Sequence, residues 1–222
     1  MMPDAYIFCP SHVLNKEKIK IYKDSRHIFI AADSGIETAV QFNITPDVLI
    51  GDFDSFDLNN VHNNNNNNNN HSKIIKYPAE KNETDFMLAV KYALENGYKN
   101  ITVIGGIDGR VDHTLANLFY LKYIRNHGGC GYITNGYNKI SYFSSLFDSS
   151  VRIDKNYKYI SVVPVSAEIR GVTLKGFKYP LNGASVKFEE PYTVCNEIAD
   201  GADYGEIIIK DGDALICECD DM

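Results

Sequence analysis

Through most of its N-terminal part the chain alternates short apolar runs with helical patterns, and few folds accept that alternation. Strand-like runs occupy residues 5–9, 28–32, 48–50, 73–77, 101–104 and 131–134. Between them, residues 84–96 place Phe86, Ala89, Val90, Ala93 and Leu94 on one broad helical face, with Thr84 suited to cap the start and Gly97 the end. A second helical pattern over 113–126 carries Leu115, Leu118, Phe119 and the aliphatic stem of Lys122 on a stripe predicted to pack inward. Apolar strands separated by helices predict a parallel sheet with helices on both faces, an α/β domain. Ligands of such sheets bind beyond the carboxyl ends of the strands. The polar motifs of this chain fall there.

The character changes after about residue 140. Short strand-like runs at 159–165, 172–174, 185–188, 192–195, 206–210 and 214–219 are separated by turn signals such as Leu181-Asn182-Gly183-Ala184 and Asp211-Gly212-Asp213. They predict an antiparallel β-sandwich. The expected division is an α/β domain over 1–143 and a sandwich over 144–222, the latter small enough to lean on the first domain or on a second subunit. An asparagine tract at 63–70, flanked by His62 and His71, predicts a disordered loop over about 59–72.

Bulk properties narrow the function classes. A net charge of −7 over 222 residues disfavours a nucleic-acid partner, which would want a basic face. No apolar stretch is long enough for a transmembrane helix, and no secretory signal pattern opens the chain. A cytoplasmic protein is expected. The five cysteines are scattered, with Cys217 and Cys219 on one face of a strand, and read as reduced packing residues.

The chemistry concentrates after the strands. Gly51-Asp52-Phe53-Asp54-Ser55 follows an apolar run directly, so two carboxylates two residues apart can turn toward one point. That is costly unless a cation sits between them, and all-oxygen ligation suits Mg²⁺. A polar turn in which Asp54 or Ser55 caps a helix is the plainer reading of the same residues. Asp33, in Ala31-Ala32-Asp33-Ser34-Gly35, reads first as a helix N-cap, although its small neighbours would let a phosphate approach. Asp85 suits the first turn of its helix, whereas Lys81 just before it is better explained by a phosphate. The loop Gly105-Gly106-Ile107-Asp108-Gly109-Arg110-Val111-Asp112-His113 combines close backbone approach with a guanidinium, and Asp112 there can cap a helix or bind an ion. It matches neither the dinucleotide fingerprint nor the P-loop. Carboxylates at successive strand ends beside Lys81 and Arg110 fit a Mg²⁺–polyphosphate.

The ordered series Asp33-Ser34-Gly35, Pro46-Asp47-Val48-Leu49-Ile50-Gly51-Asp52-Phe53-Asp54-Ser55, Lys81-Asn82-Glu83-Thr84-Asp85 and Gly109-Arg110-Val111-Asp112-His113-Thr114-Leu115-Ala116-Asn117 resembles the thiamine pyrophosphokinases. The likeness continues through Gly176-Phe177-Lys178-Tyr179-Pro180-Leu181 and Cys195-Asn196-Glu197, so it spans nearly the whole chain. It implies a homodimer with active sites between subunits, and Mg²⁺-dependent transfer of pyrophosphate from ATP to thiamine with release of AMP. Carried over, Asp52, Asp54, Asp85 and the nearby Asp112 are expected at the metal. Asp33, Lys81, Thr84 and Arg110 would meet the phosphates, and Asn117 the nucleotide. Cys195 and Asn196 match the pair that holds thiamine. Asp54, Asp85 and Arg110 are the candidate catalytic groups.

This chain departs from the family pattern at Asn82, at Ser34, and at Cys195, where the family has aspartate, glycine and serine. It also has no tryptophan to stack on thiamine. Two rivals stay open on sequence. Asp52-Phe53-Asp54 could belong to a phosphohydrolase with an aspartyl nucleophile, and the fold could serve a non-catalytic sensor.

Overall fold

In the computed structural model residues 4–52, 72–78, 80 and 82–221 are described. Asp54, Lys81 and nearly all of the predicted asparagine-rich loop, with His62 and His71, lie outside them. The chain divides into two compact units, Met1–Gly136 and Tyr137–Met222. The boundary falls a few residues before the expected one because the strand Asn138–Ser144 pairs antiparallel along its length with the strand Asp213–Cys219.

The first unit is built on parallel strands β1 (Asp4–Phe8), β2 (Ile28–Ala32), β3 (Val48–Gly51), β4 (Lys73–Lys76), β5 (Asn100–Ile104) and β6 (Cys130–Thr134), in the order β4-β3-β2-β1-β5-β6. All five pairings are parallel. The register sets Ile7 between Ile30 and Val103. These side chains are fully buried, as the continuous apolar character of the strands requires of a sheet covered on both faces. β4 ends the order, and its lysines Lys73 and Lys76 stay in water, which discourages pairing with a further strand.

Helices α1 (Gly35–Val40), α2 (Asp85–Glu95) and α3 (Val111–Asn126) connect the strands. On one face Tyr6, Phe8 and Ile104 pack with Ala39 of α1, Ile44 and Ile19. Helix α2 lies against β1, β2 and β3, and α3 against β6 and α2. The face predicted for α2 is buried throughout, from Phe86 to Leu94. Its ends are those expected: the Thr84 side chain accepts from the Met87 amide at 3.2 Å, and Gly97 takes φ 87° just past the C-cap.

The stripe predicted for α3 is corrected. The helix buries Asn117, Leu121 and Ile124, while Leu115 and Phe119 are exposed. Apolar residues at helical spacing lie on both sides of α3, so periodicity could not say which side meets the sheet.

In the second unit β7 (Asn138–Ser144), β13 (Asp213–Cys219) and β9 (Tyr159–Pro164) pair antiparallel in that order. A 4-stranded antiparallel sheet runs β11 (Leu181–Lys187), β10 (Glu168–Lys175), β12 (Tyr204–Ile208), β8 (Val151–Asp154). Alternate side chains from both layers, among them Phe143, Ile160, Val162, Ile216, Ile153, Val172, Val186 and Ile207, form one core. The expected turn at 181–184 is instead part of β11. Val172 pairs with Ala184 but Leu174 with Leu181, so β11 carries an extra residue there, and Gly183 supplies φ 68° for the bulge. Nor do residues 192–195 form a strand; Asn196 makes an isolated bridge to Ile160.

Gly35 shows how tightly α1 is set against β1: a Cβ there would lie 2.0 Å from the Phe8 carbonyl oxygen. Gly35→Ala must therefore displace the helix, and a loss of about 1–3 kcal/mol is expected in urea unfolding. Unchanged stability would mean that the approach is looser than described.

Candidate active site

Each strand of the first unit ends where a polar loop begins, and parallel pairing brings these ends to one rim. There a cavity of ≈ 470 Å³ opens, lined in part by Asp33, Asp52, Thr84, Asp85, Arg110 and Asn117. The remaining predicted residues of this unit stand apart from it or outside the described residues. Asp112 is not among the lining groups. Asp54 and Lys81 lie outside the described residues.

Local chemistry explains how each group is held. Asp33 has φ 51°, a left-handed conformation that aspartate accepts better than most residues. Its amide donates to Ile50 O at 2.8 Å, tying the exit of β2 to β3. The N-cap position of α1 belongs to Ser34, which makes no side-chain cap bond, so the capping role first read for Asp33 does not hold. Thr84, by contrast, caps α2, and its hydroxyl lies 3.5 Å from Tyr120 Oη. Asp85 follows in the first turn, where the helix dipole favours a negative group, and its Oδ1 is buried.

The glycine-rich loop after β5 is shaped by close approach. Gly105 and Gly106 have φ 88° and 78°. A Cβ on Gly105 would lie 2.6 Å from the Cys9 carbonyl oxygen. Asn117, buried on α3, donates through Nδ2 to Gly106 O at 2.8 Å and so fixes the loop against the helix. Cys9 also lines the cavity, and burial pushes its thiol far above the ordinary cysteine range. It is a packing residue there, not a nucleophile.

Arg110 precedes α3 and grips Asp112 with Nη2–Oδ2 at 2.5 Å and Nε–Oδ1 at 3.1 Å. Both side chains are largely in solvent. The hydrogen bond from Arg110 holds the Asp112 carboxyl below the usual carboxylate range, and the same bond raises the guanidinium. Exposed pairs contribute little to stability, so Arg110 can exchange this partner for a phosphate at small cost.

Two further residues of the cavity region gave no signal of their own in the sequence. His12 lines the cavity. Asp108, in the loop after β5, accepts from the His12 amide at 2.6 Å. Nothing in the order of residues announces a contact between positions so far apart.

The two residues matched to the family's thiamine pair lie in the second unit. Cys195 is exposed, takes φ 56°, and donates its amide to Ser161 Oγ at 3.0 Å. Asn196 is buried. Its Oδ1 accepts from the amides of Tyr179 at 3.1 Å and Glu197 at 2.9 Å, while Nδ2 donates to Tyr179 O at 2.8 Å. Asn196 thus holds the segment around Tyr179 in place.

The donor set suits a magnesium ion. Among the described residues no three carboxylate, histidine or cysteine groups form a metal cluster by themselves. Mg²⁺ takes one or two carboxylates and completes its shell with water and substrate phosphates. Asp52 and Asp85, which line the cavity, are residues that could supply those carboxylates. Among the described residues no helix is long and apolar enough to cross a membrane.

Comparison with known proteins agrees with this architecture. Residues 19–129 match the family model of the thiamin pyrophosphokinase catalytic domain, and residues 149–210 that of its vitamin B1 binding domain. The thiamine pyrophosphokinase of Bacillus subtilis (strain 168) is 32% identical over 178 residues, covering 80% of this chain and 81% of that protein. Thiamin pyrophosphokinase 1 of Caenorhabditis elegans is 22% identical over 221 residues, covering 96% of this chain and 84% of that protein. The crystal structure of thiamine pyrophosphokinase from Bacillus subtilis matches over 100% of both chains with a TM-score of 0.83 and 26% identity.

The Arg110–Asp112 pair gives a test by pH. Because the folded-state value of Asp112 is depressed, its contribution is present above the ordinary carboxylate range and is lost as pH falls through the depressed value. In Arg110→Gln the Asp112 carboxyl should titrate at higher pH than in wild type, read by carboxyl NMR. Identical titration curves would show that the pair does not form in solution.

Proposed function

This chain belongs to the thiamin pyrophosphokinase family, and on that premise we propose that it transfers pyrophosphate from ATP to the hydroxyl of thiamine in a Mg²⁺-dependent reaction, giving thiamine diphosphate and AMP. The observation that carries the reading is the cavity where Asp33, Asp52 and Asp85 meet Thr84, Arg110 and Asn117 at the strand ends. We take the enzyme to act in the cytoplasm as a homodimer with its active sites at the subunit interface; the mass in solution tests the dimer.

In this reaction the hydroxyethyl oxygen of thiamine forms a bond to the β-phosphorus of ATP. The bond from that phosphorus to the oxygen bridging it to the α-phosphorus breaks, and AMP leaves with the bridging oxygen. The alcohol proton passes to a carboxylate, Asp54 or Asp85, or to a phosphate oxygen. Phosphoryl transfer asks a protein mainly to position groups and to neutralise charge. Asp52, Asp54 and Asp85 would hold the Mg²⁺, which when bound screens the phosphate charge, and Asp112 would join them once its pair with Arg110 opens. Lys81 and Arg110 supply positive charge to the polyphosphate, the latter after leaving Asp112. Asp33 and Thr84, which line the cavity, would meet the phosphates, and Asn117, which braces the glycine-rich loop, would help to hold the nucleotide.

Cys195 and Asn196 are assigned to thiamine. The side chain of Asn196 is already bonded to the backbone of Tyr179 and Glu197, which supports a role in shaping the subsite. The thiol of Cys195 is a weaker donor than the hydroxyl that the family places there.

The direct test measures AMP from ATP and Mg²⁺ with and without thiamine, in wild type and in Asp54→Ala. Thiamine-dependent AMP that falls by two or more orders of magnitude in the variant is expected, on the order of the loss of one electrostatic stabilising group. Wild type that makes no thiamine-dependent AMP would discard the reading; phosphate release instead would favour the hydrolase, and binding without turnover the sensor. Cys195→Ser should change KM for thiamine more than kcat, and an unchanged KM removes Cys195 from the subsite.

A further inference from the structure

The strand order β4-β3-β2-β1-β5-β6 reverses direction at β1. From β1 the chain builds outward through β2 and β3, and it returns to place β5 on the other flank. Connections leaving β1 and β5 therefore diverge, and a crevice opens between their carboxyl ends, the usual place for a ligand in such sheets. Here one side chain spans it. Asp108, in the loop after β5, accepts through Oδ2 from Ser11 Oγ at 2.8 Å and from the amides of His12 and Val13, each at 2.6 Å. These donors belong to the loop after β1.

We propose that Asp108 is a positioning residue for nucleotide binding, and that it acts by holding the loop after β1 in the conformation that presents His12 to the cavity. The proposal rests on the ATP-dependent reading of that cavity. Two successive backbone amides and a hydroxyl converging on one oxygen form a nest of the kind that binds anions, here occupied by the protein's own carboxylate. Bonds to an ionised acceptor are about twice as strong as neutral ones. Other contacts leave the two loops little freedom to part: Gly106 N donates to Pro10 O at 3.1 Å, and Asn117 fixes Gly106 from the far side at 2.8 Å. Pro10 and His12 both line the cavity whereas Asp108 does not. Its influence on a ligand must then pass through the loop.

The arrangement also accounts for an aspartate amid glycines. Gly105 and Gly106 have φ in the left-handed region, where a residue that carries a side chain is disfavoured. Asp108 is the nearby position from which a short carboxylate reaches the partner loop. Asparagine there would keep an acceptor oxygen but lose the charge, and alanine would leave the amides of His12 and Val13 to water.

The test uses the full chain as wild type, Asp108→Ala, Asp108→Asn, His12→Ala and the double variant of His12→Ala with Asp108→Ala. Amide hydrogen exchange at residues 11–13 without ligand reads the clasp, and calorimetry with MgATP reads Kd. Asp108→Ala should speed exchange at His12 and Val13 and weaken MgATP binding about tenfold, the consequence of losing a strong charge-assisted contact. Asp108→Asn should recover part of both effects. The double variant should bind MgATP no more weakly than the weaker single variant, because both changes remove one path. An unaltered Kd in Asp108→Ala, or additive losses in the double variant, would overturn the proposal even if exchange accelerates. Should Asp108→Ala fail to fold, Asp108→Asn carries the same comparisons with His12→Ala. AMP formation is scored separately: its absence in wild type counts against the reaction, an unaltered Kd against the clasp.

Discussion

The parallel pairing of β1 with β2 on one side and β5 on the other is the constraint from which the first unit follows. Parallel strands all end at the same rim, so every strand-to-helix loop delivers its side chains there. With β1 central, the loops on its two flanks run apart and leave room between them. Fully buried Ile7, Ile30 and Val103 hold this pairing. Burial on both faces leaves charged residues only the strand ends, and just past the ends of β2 and β3 stand Asp33 and Asp52.

Gathering carboxylates on one rim raises their mutual repulsion, and the fold answers locally. Asp85 sits at a helix N-terminus, where the dipole offsets part of the cost. Asp112 is neutralised by Arg110, and Asp108 is spent on backbone amides and a hydroxyl. Asp33 and Asp52 stay at the rim of the cavity. The acidic residues of this region therefore do different work: some brace the loops, while others line the cavity. Glycine matters here for proximity. At Gly35 and Gly105 the backbones of neighbouring segments come closer than any side chain would allow.

The second unit solves another problem. Its sandwich core is formed by alternating residues from two antiparallel layers, so specificity must come from loops and irregularities. Asn196 illustrates this: backbone pairing with Ile160 and side-chain bonds to Tyr179 join a loop to the sheet and hold Cys195 in a left-handed conformation. Bulges in β10 and β11 absorb the glycines that would otherwise interrupt the ladder.

By itself the sequence determined the alternation of strands and helices in the first unit, the parallel α/β unit followed by a sandwich, the cap of α2 at Thr84, and the convergence of Asp33, Asp52, Asp85 and Arg110. These follow from periods of two and 3.6, from capping chemistry and from the rule that parallel strands end together, all of which act over a few residues. Only the tertiary structure decided which side of α3 is buried, because Asn117, Leu121 and Ile124 compete with an equally apolar stripe through Leu115 and Phe119. It also decided that Asn182-Gly183 makes a bulge, since one dipeptide suits a turn or an extra residue in a ladder until its partner strand is known. The same holds for the pairing of Arg110 with Asp112 and for the clasp of Asp108 on Ser11, His12 and Val13. A carboxylate's partners are set by which loops the sheet brings together in space, and that juxtaposition is written in no local pattern.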